Sequence, residues 1–332
     1  MTAKRAFITG ITGQDGSYLA EFLLQKDYEV HGLVHRAEAV QIPYLKPLLD
    51  ESRRQSPRVR FHFGEMEDAE SLRRALAESK PDEVYHLAGQ THVGSSFEAA
   101  ELTCRVTALG TLRLLNLVRD LAGTARFFNA SSSEVFGSPA QSPQDELTPI
   151  APVTPYGCAK AFATHMGRLY RKTFGLFVVN GILFNHESPR RGEQFVTRKI
   201  CRAAASIKVG RQRELVLGNT AGQRDWGHAQ DYVRGMWMSL QHSEPEDFVF
   251  ATGRLHSVQE IIEIAFGALQ LDWRAYTKSD PQFLRAEEPQ RLLGNPEKAK
   301  RVLGWKAETS FEDTITQMTE AELAAQSQPI NL

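Results

Sequence analysis

The run Ile8-Thr9-Gly10-Ile11-Thr12-Gly13-Gln14-Asp15-Gly16 carries the architecture of this chain. A β-rich stretch, Arg5–Thr9, leads into it, and a helical period over Ser17–Gln25 leads out. Gly10 permits a tight turn after the strand, and Gly13 lets backbone N–H groups approach a pyrophosphate. Gly16 lets the helix pack closely on the sheet. Strand before, helix after and a place near the start make this a dinucleotide phosphate loop rather than a ligand-free turn.

The rest of the first half repeats the alternation. Glu29–Val34, Val59–Phe63, Glu83–Leu87 and Arg126–Ala130 read as strands, with helical stretches near Glu67–Glu78 and Ala99–Leu121 between them. This order predicts an α/β fold, a doubly wound parallel Rossmann sheet whose strand C-termini share one ligand-binding edge. The pattern then loosens: a strand through Ile182–Phe184, a charged loop at His186–Gln194, a helix over Val196–Ile207 and mixed pieces to the end. We expect a dinucleotide-binding domain over 1–180 and a smaller mixed α/β substrate lobe over 181–332. The chain is expected to return to the sheet near 229–255, around Asp231–Leu240.

Composition narrows the partners. A net charge of -1 over 332 residues gives no reason to expect nucleic acid or a membrane surface. No apolar run is long enough to span a bilayer, and the start lacks a signal-peptide core, so the expected place is the cytoplasm. Cys104, Cys158 and Cys201 form no C-x-x-C pair and read as small buried apolar residues. Ten histidines show no H-E-x-x-H or similar spacing, so no metal is expected.

The chemistry is concentrated further on. Tyr156 and Lys160 stand four residues apart, one turn from each other on a single helix face. An ammonium beside a phenol favours phenolate, so the Tyr156 pKa should fall from about 10 toward neutrality. Tyr156 would then take a proton from a sugar or alcohol hydroxyl as hydride leaves the carbon. Upstream, Ser131-Ser132-Ser133-Glu134 follows a strand. Ser132 can hold the hydroxyl that Tyr156 deprotonates, and Glu134 adds a second acid/base that a simple dehydrogenase does not need. At the end of the second strand, Val34-His35-Arg36 lacks the carboxylate that would bind a ribose diol, whereas Arg36 could clamp a 2′-phosphate. NADP is favoured over NAD, with Glu38 pulling the other way. Of the cations at 190–202, Arg190 and Lys199 suit a diphosphate and Arg202 suits solvent. Trp226 reads as packing between the lobes, and Tyr232, Met236 and Leu240 as one buried helix face.

The G-x-x-G-x-x-G spacing resembles extended short-chain dehydrogenase/reductases, and longer blocks resemble the GDP-mannose 4,6-dehydratase family within them. These blocks are TGITGQDGSYLAEFLL, PYGCAKAFATHMGRLYR, NGILFNHESPRRGEQFVTRKI, LGNTAGQRDWGHAQDYVRGMW and LLGNPEKAKRVLGWK, in a resemblance running from about residue 4 to 318. It implies catalytic roles for Tyr156, Lys160 and Glu134, with Ser132 where the family has Thr. It implies cofactor contacts from Gly10, Ile11, Thr12, Gly13, Gln14, Asp15, Arg36, Glu65, Met66, Leu87, Ala88, Gly89, Gln90, Thr91, His186 and Arg190. Nucleotide-sugar contacts are implied for Ser133, Asn185, Val196, Lys199, Leu217, Gly218, Arg224 and Arg285.

The departures lie mostly around the adenosine. His35-Arg36-Ala37-Glu38 stands for the family's Arg-Arg-Ser-Ser, Glu65-Met66 for Asp-Leu, and Leu102 for a Tyr. Ala37–Lys46 lacks the Arg that crosses to a neighbouring subunit, so a homodimer is expected and a homotetramer is left open. The implied reaction is a lyase cycle in which hydride leaves C4 for NADP and returns to C6, giving a 4-keto-6-deoxy sugar. The alternatives are a nucleotide-sugar 4-reductase or 4-epimerase, which have no use for Glu134, and a cofactor sensor, which usually lacks the Tyr/Lys pair.

Overall fold

Side chains that alternate between two faces build the sheet. The computed structural model describes residues 3–35, 42–280 and 292–327. Its first strands are β1 (Arg5–Thr9), β2 (Glu29–Val34), β3 (Val59–Phe63), β4 (Glu83–His86), β5 (Arg126–Ser132) and β6 (Val178–Leu183). Short β7 (Asn185–Glu187), β8 (Leu215–Leu217), β9 (Gln223–Arg224) and β10 (Trp226–His228) precede β11 (Phe248–Phe250). The central sheet has seven strands in the order β11-β6-β5-β4-β1-β2-β3, and all of its pairings are parallel. Ala6, Ile8, Tyr85, Phe128 and Val179 turn to one face; Phe7, Val84, Phe127 and Val178 turn to the other. Burial on both faces is what a sheet covered by crossover helices requires.

The helices are α1 (Gln14–Gln25), α2 (Lys46–Ser52), α3 (Ala69–Ser79), α4 (Ala100–Thr103), α5 (Gly110–Leu121) and α6 (Pro155–Phe174). They continue with α7 (Val196–Lys208), α8 (Ala229–Gln241), α9 (Val258–Ala268), α10 (Glu297–Leu303) and α11 (Phe311–Ser327). Leu19 and Leu23 of α1 share a core with Tyr232, Met236 and Leu240 of α8. On the opposite face, Leu72 and Leu76 of α3 meet Leu114 and Val118 of α5. Strand order reverses between β1 and β4, which places the ligand crevice at their C-terminal ends.

A second core lies beyond β6. Ile200 of α7, Ile262 and Phe266 of α9, and Ile315 and Met318 of α11 pack together. Two small pairings edge this core: β8 with β13 (Thr277–Ser279) in parallel, and β9 with β12 (His256–Ser257) antiparallel. Ser257 and Glu260 form a capping box that starts α9.

Several expectations are corrected. The helix expected over Ala99–Leu121 contains a π segment at Cys104–Leu109. Threonine hydroxyls bond back to the helix on both sides of it: Thr103 Oγ1 donates to Ala99 O at 2.9 Å, and Thr111 Oγ1 to Thr107 O at 2.6 Å. β6 starts at Val178 rather than Ile182, so a boundary after residue 180 passes through a strand. The returning strand is β11, whereas Asp231–Leu240 belongs to α8, which covers the sheet. The loop expected from His186 opens with β7. Only Cys201 is buried; Cys104 and Cys158 are exposed. No helix among the described residues is long and apolar enough to cross a membrane.

A buried chain of hydrogen bonds braces the C-terminal ends of β1 and β4. Thr111 gives its proton to Thr107 O, so His86 Nε2–H donates to Thr111 Oγ1 at 2.9 Å. His86 Nδ1 then accepts from Thr9 Oγ1 at 2.8 Å, and Thr9 Oγ1 accepts Ala88 N–H at 3.2 Å. Both ring nitrogens are fixed in the neutral form. Burial, with Lys160 adding to it, holds His86 at a pKa of about 3 against the ordinary 6.5.

Between those values the unfolded chain binds a proton that the folded chain refuses, so stability falls as pH drops below about 6.5. At pH 5 the loss from His86 is about 2 kcal/mol. The stability difference between wild type and His86→Gln, from urea midpoints, should therefore narrow by about that amount from pH 7.5 to 5. A constant difference would show that His86 is not the titrating group.

Candidate active site

The Gly-rich loop forms one wall of a groove at the C-terminal ends of β1, β2 and β4. Gly10 has φ +76°, and a Cβ there would stand 2.9 Å from Ala88 N. At Gly16 a Cβ would lie 2.2 Å from Gly10 O, so only glycine lets α1 approach the turn this closely. Gly13 caps α1 without a side-chain hydrogen bond, which leaves first-turn N–H groups for an anion. The groove encloses about 480 Å³ and is lined by Gly10, Thr12, Gly13, Glu65, Met66, Leu102 and the Leu87–Thr91 segment. A volume of that size beside free helix N–H groups fits a dinucleotide diphosphate. Thr107 Oγ1, on the π segment, accepts Gln90 N–H at 3.2 Å and fixes the far wall.

Other residues expected at the cofactor sit differently. The Ile11 side chain is buried in the core beneath Gly32, so only its main chain can face a ligand. Gln14 Nε2 donates to His186 O at 3.2 Å, and Asp15 Oδ2 pairs with His186 Nε2 at 2.8 Å. Burial would raise the Asp15 carboxyl, but the charge and hydrogen bond of His186 hold it below its ordinary value. Burial opposes the His186 cation too, and Asp15 overcomes that opposition and raises it. His186 Nδ1 donates to Phe184 O at 2.7 Å, so both ring N–H groups are used, as in imidazolium.

Arg190 is held away from both cavities. Glu21 takes it bidentately at 2.8 and 2.9 Å, Ser17 Oγ accepts at 3.0 Å, and its guanidinium lies 3.9 Å from the Tyr18 ring centroid. Arg36, Ala37 and Glu38 lie outside the described residues, as does Arg285.

The acid–base set forms where β5 meets the start of α6. Ser132 ends β5, and its Oγ accepts Glu134 N–H at 3.3 Å, starting the tight turn Ser133–Phe136. Thr154 caps α6 by accepting Gly157 N–H at 2.9 Å, with Pro155 in the first helical position. A Cβ on Gly157 would stand 2.6 Å from Glu134 O, so glycine is what lets the helix approach this turn. Tyr156 and Lys160 share the buried face of α6, as their spacing requires.

Their electrostatics reverse the sequence expectation. Lys160 Nζ donates to Ala130 O at 2.7 Å and lies 5.9 Å from the Tyr156 ring centroid. Burial of the phenol dominates, with Glu134 adding repulsion, and pushes Tyr156 up to about 12 despite a hydrogen bond from Ser132. Burial lowers Lys160 to about 8, with Asp15 opposing. The cost of burying a charge exceeds what an ammonium aimed at a carbonyl returns.

A second cavity, of about 310 Å³, brings Glu134 together with Asn185, Val196, Lys199, Leu217, Gly218 and Arg224. These are six of the expected nucleotide-sugar residues. Ser133 is 3% exposed and does not reach this wall. Lys199 is exposed, and its Nζ lies 3.4 Å from Val216 O. Arg202 is exposed and pairs with Glu193. Trp226 stacks on Phe311, with ring centroids 5.9 Å apart, inside the second core rather than between the lobes, and also lines the cavity.

The GDP-mannose 4,6 dehydratase family model matches residues 7–318. The chain belongs to the GDP-mannose 4,6-dehydratase family. GDP-mannose 4,6 dehydratase 2 of Arabidopsis thaliana is 48% identical over 325 residues, which cover 96% of this chain and 87% of that protein. Among solved structures, RMD from Pseudomonas aeruginosa complexed with NADPH superposes with a TM-score of 0.80 at 25% identity, covering 97% of this chain and 98% of the other. DesIV, a dTDP-glucose 4,6-dehydratase from Streptomyces venezuelae with NAD and TYD bound, gives 0.82 at 27% identity, covering 96% of each chain. The fold is that of an extended short-chain dehydrogenase/reductase, and the chain is an enzyme of the GDP-mannose 4,6-dehydratase family.

Two charged residues of this site were not assigned from sequence. Glu187 lines the second cavity. Arg191 lies close enough to lower both Asp15 and Tyr156. The signal for Glu187 was available: along an extended segment Asn185 and Glu187 share a face and His186 takes the other. β7 has that arrangement, with Asn185 and Glu187 at the second cavity and His186 against Asp15 of the Gly-rich loop.

Proposed function

We propose that this chain dehydrates GDP-mannose to GDP-4-keto-6-deoxymannose, with NADP held throughout the cycle. The observation that carries this reading is the place of Glu134. It lines the sugar cavity and raises the pKa of Tyr156, so a carboxyl and a phenol act on one substrate. A reductase or epimerase has no use for that carboxyl.

A bound nicotinamide would supply the redox chemistry, as acceptor of hydride from C4 and donor of hydride to C6. The side chains move protons. Ser132 holds the C4 oxygen, and Tyr156 takes its proton. The 4-ketone acidifies C5–H, which Glu134 removes before protonating the departing C6 hydroxyl, and C5 regains a proton from Tyr156 or a solvent-linked group as hydride reaches C6. Lys160, with a pKa of about 8, can exchange a proton at near-neutral pH beside the phenol. First-turn N–H groups of α1 would hold the diphosphate of the cofactor, and Lys199 with Arg224 that of the sugar nucleotide.

NADP is favoured because Val34 and His35, at the end of β2, offer no carboxylate to a ribose diol. In this division residues 1–180, with the return near 229–255, hold the cofactor, and the remainder grips the nucleotide sugar. We place the enzyme in the cytoplasm as a homodimer, since Leu109 and Leu169 expose apolar surface on the helical side of the sheet.

One preparation tests these points. Denaturing it should release NADP(H), and light scattering should read about twice 37.2 kDa. Incubation with GDP-mannose should give a product lighter by one water with no net NADPH consumed. NAD alone would move the ribose contact to Glu38, and stoichiometric NADPH consumption would favour a reductase.

A further inference from the structure

Glu187 is 1% exposed yet forms part of the cavity wall. Its two partners sit on one oxygen: Thr197 Oγ1 donates to Oε2 at 2.6 Å, and Arg191 Nε lies 3.1 Å from Oε2. Among the described residues Oε1 takes no partner, and it is not among the sealed, unsatisfied atoms. The Arg191 guanidinium is itself pinned 3.5 Å from the Phe195 ring centroid. The carboxyl is thus fixed on one side and open on the other, and the open side faces the space shared with Glu134.

We propose that Glu187 is a sugar-recognition residue, with Oε1 accepting a hydrogen bond from a hexose hydroxyl while Thr197 and Arg191 hold Oε2. This rests on the reading of the second cavity as the nucleotide-sugar site. A purely structural carboxyl would be expected to satisfy both oxygens within the protein, because an idle buried acceptor costs free energy. Burial also raises Glu187 above the usual carboxylate range against Arg191 and Thr197, the state of an acceptor completed by its ligand. Period two along β7 sets it beside Asn185, so two neighbouring side chains read the sugar while His186 serves the cofactor side.

Glu187→Gln tests the assignment by reversing the group offered to the sugar. The amide oxygen must turn to the Thr197 hydroxyl, which donates, and to the Arg191 cation, leaving an NH₂ donor toward the cavity. The holoenzyme should lose about 10- to 100-fold in kcat/KM for GDP-mannose, the effect of losing a hydrogen bond to a charged acceptor. Its Kd for GDP, which has no hexose, should stay within about twofold of wild type. In wild type, one of the 2-deoxy or 3-deoxy GDP-hexoses should lose a similar factor, and the variant should lose little more with that sugar.

Equal weakening of GDP and GDP-mannose, or full kcat/KM in the variant, would overturn the proposal. If Glu187→Gln binds no GDP, Thr197→Val replaces it, with KM for GDP-mannose expected to rise several-fold and GDP affinity unchanged. If wild type turns over another nucleotide sugar instead, the substrate reading fails by itself. Glu187 is then judged on that sugar nucleotide against its free nucleoside diphosphate.

Discussion

Tyr156→Phe is expected to lower turnover by about 10²–10⁴-fold, the range for losing a positioned acid/base, while leaving the fold and GDP affinity intact. The ring is 8% exposed and stays in place when the hydroxyl is removed. What disappears is the phenol hydroxyl beside the Ser132–Glu134 turn, and with it the acceptor for the C4 proton. Little or no reduced cofactor should appear when substrate is added, because the first oxidation is blocked. Burial pushes Tyr156 up to about 12 in the cofactor-free protein, so the phenol acts as base only once bound cofactor and substrate bring that value down. A spectrophotometric titration of the cofactor-free protein should therefore show this tyrosine ionising far above neutrality. Turnover by Tyr156→Phe above a tenth of the wild-type rate would assign the base elsewhere.

That contrast marks where the sequence was legible. The Tyr156/Lys160 pair was readable because a strong helix pattern, a Thr cap and a Pro at the first position place both side chains on one face. The charge state of the pair was not, because it depends on how deeply α6 is buried and on Lys160 finding Ala130 O, thirty positions away. The Gly-rich loop was legible for the same local reason, since Gly10 and Gly16 mark contacts that any Cβ would block.

Arg190 looked like a phosphate ligand because its sequence neighbours are basic. Glu21, which holds it, comes from α1, 169 positions away. The π segment at Cys104–Leu109 left no periodic trace, because apolar spacing continues through it. Glu187 was hidden inside a stretch already explained by resemblance, although alternation along an extended segment pointed to it. Local patterns were readable, then, whereas pairings across the fold and the cost of burial needed coordinates.

Glu134→Gln should separate dehydration from oxidation. Gln keeps the size of the side chain and its hydrogen-bonding shape but exchanges no proton at neutral pH. Binding and C4 oxidation then remain possible, because Tyr156, Lys160 and Ser132 are untouched. Elimination should slow by about 10²–10⁴-fold, since C5–H loses its base and the C6 hydroxyl its acid together. A reduced-cofactor signal that appears and persists after mixing with GDP-mannose is the expected signature, opposite to the silence of Tyr156→Phe. In heavy water the wild type should place solvent deuterium at C5 of the product, and Glu134→Gln should do so only at its slowed rate. The repulsion between Glu134 and a phenolate also disappears in the variant, so the Tyr156 pKa should fall and its ionised fraction rise, which removes a loss of phenolate as the cause of slow turnover. Full turnover with unchanged C5 exchange would show that Glu134 is not the acid/base, and a reductase or epimerase on this scaffold would then be the better account.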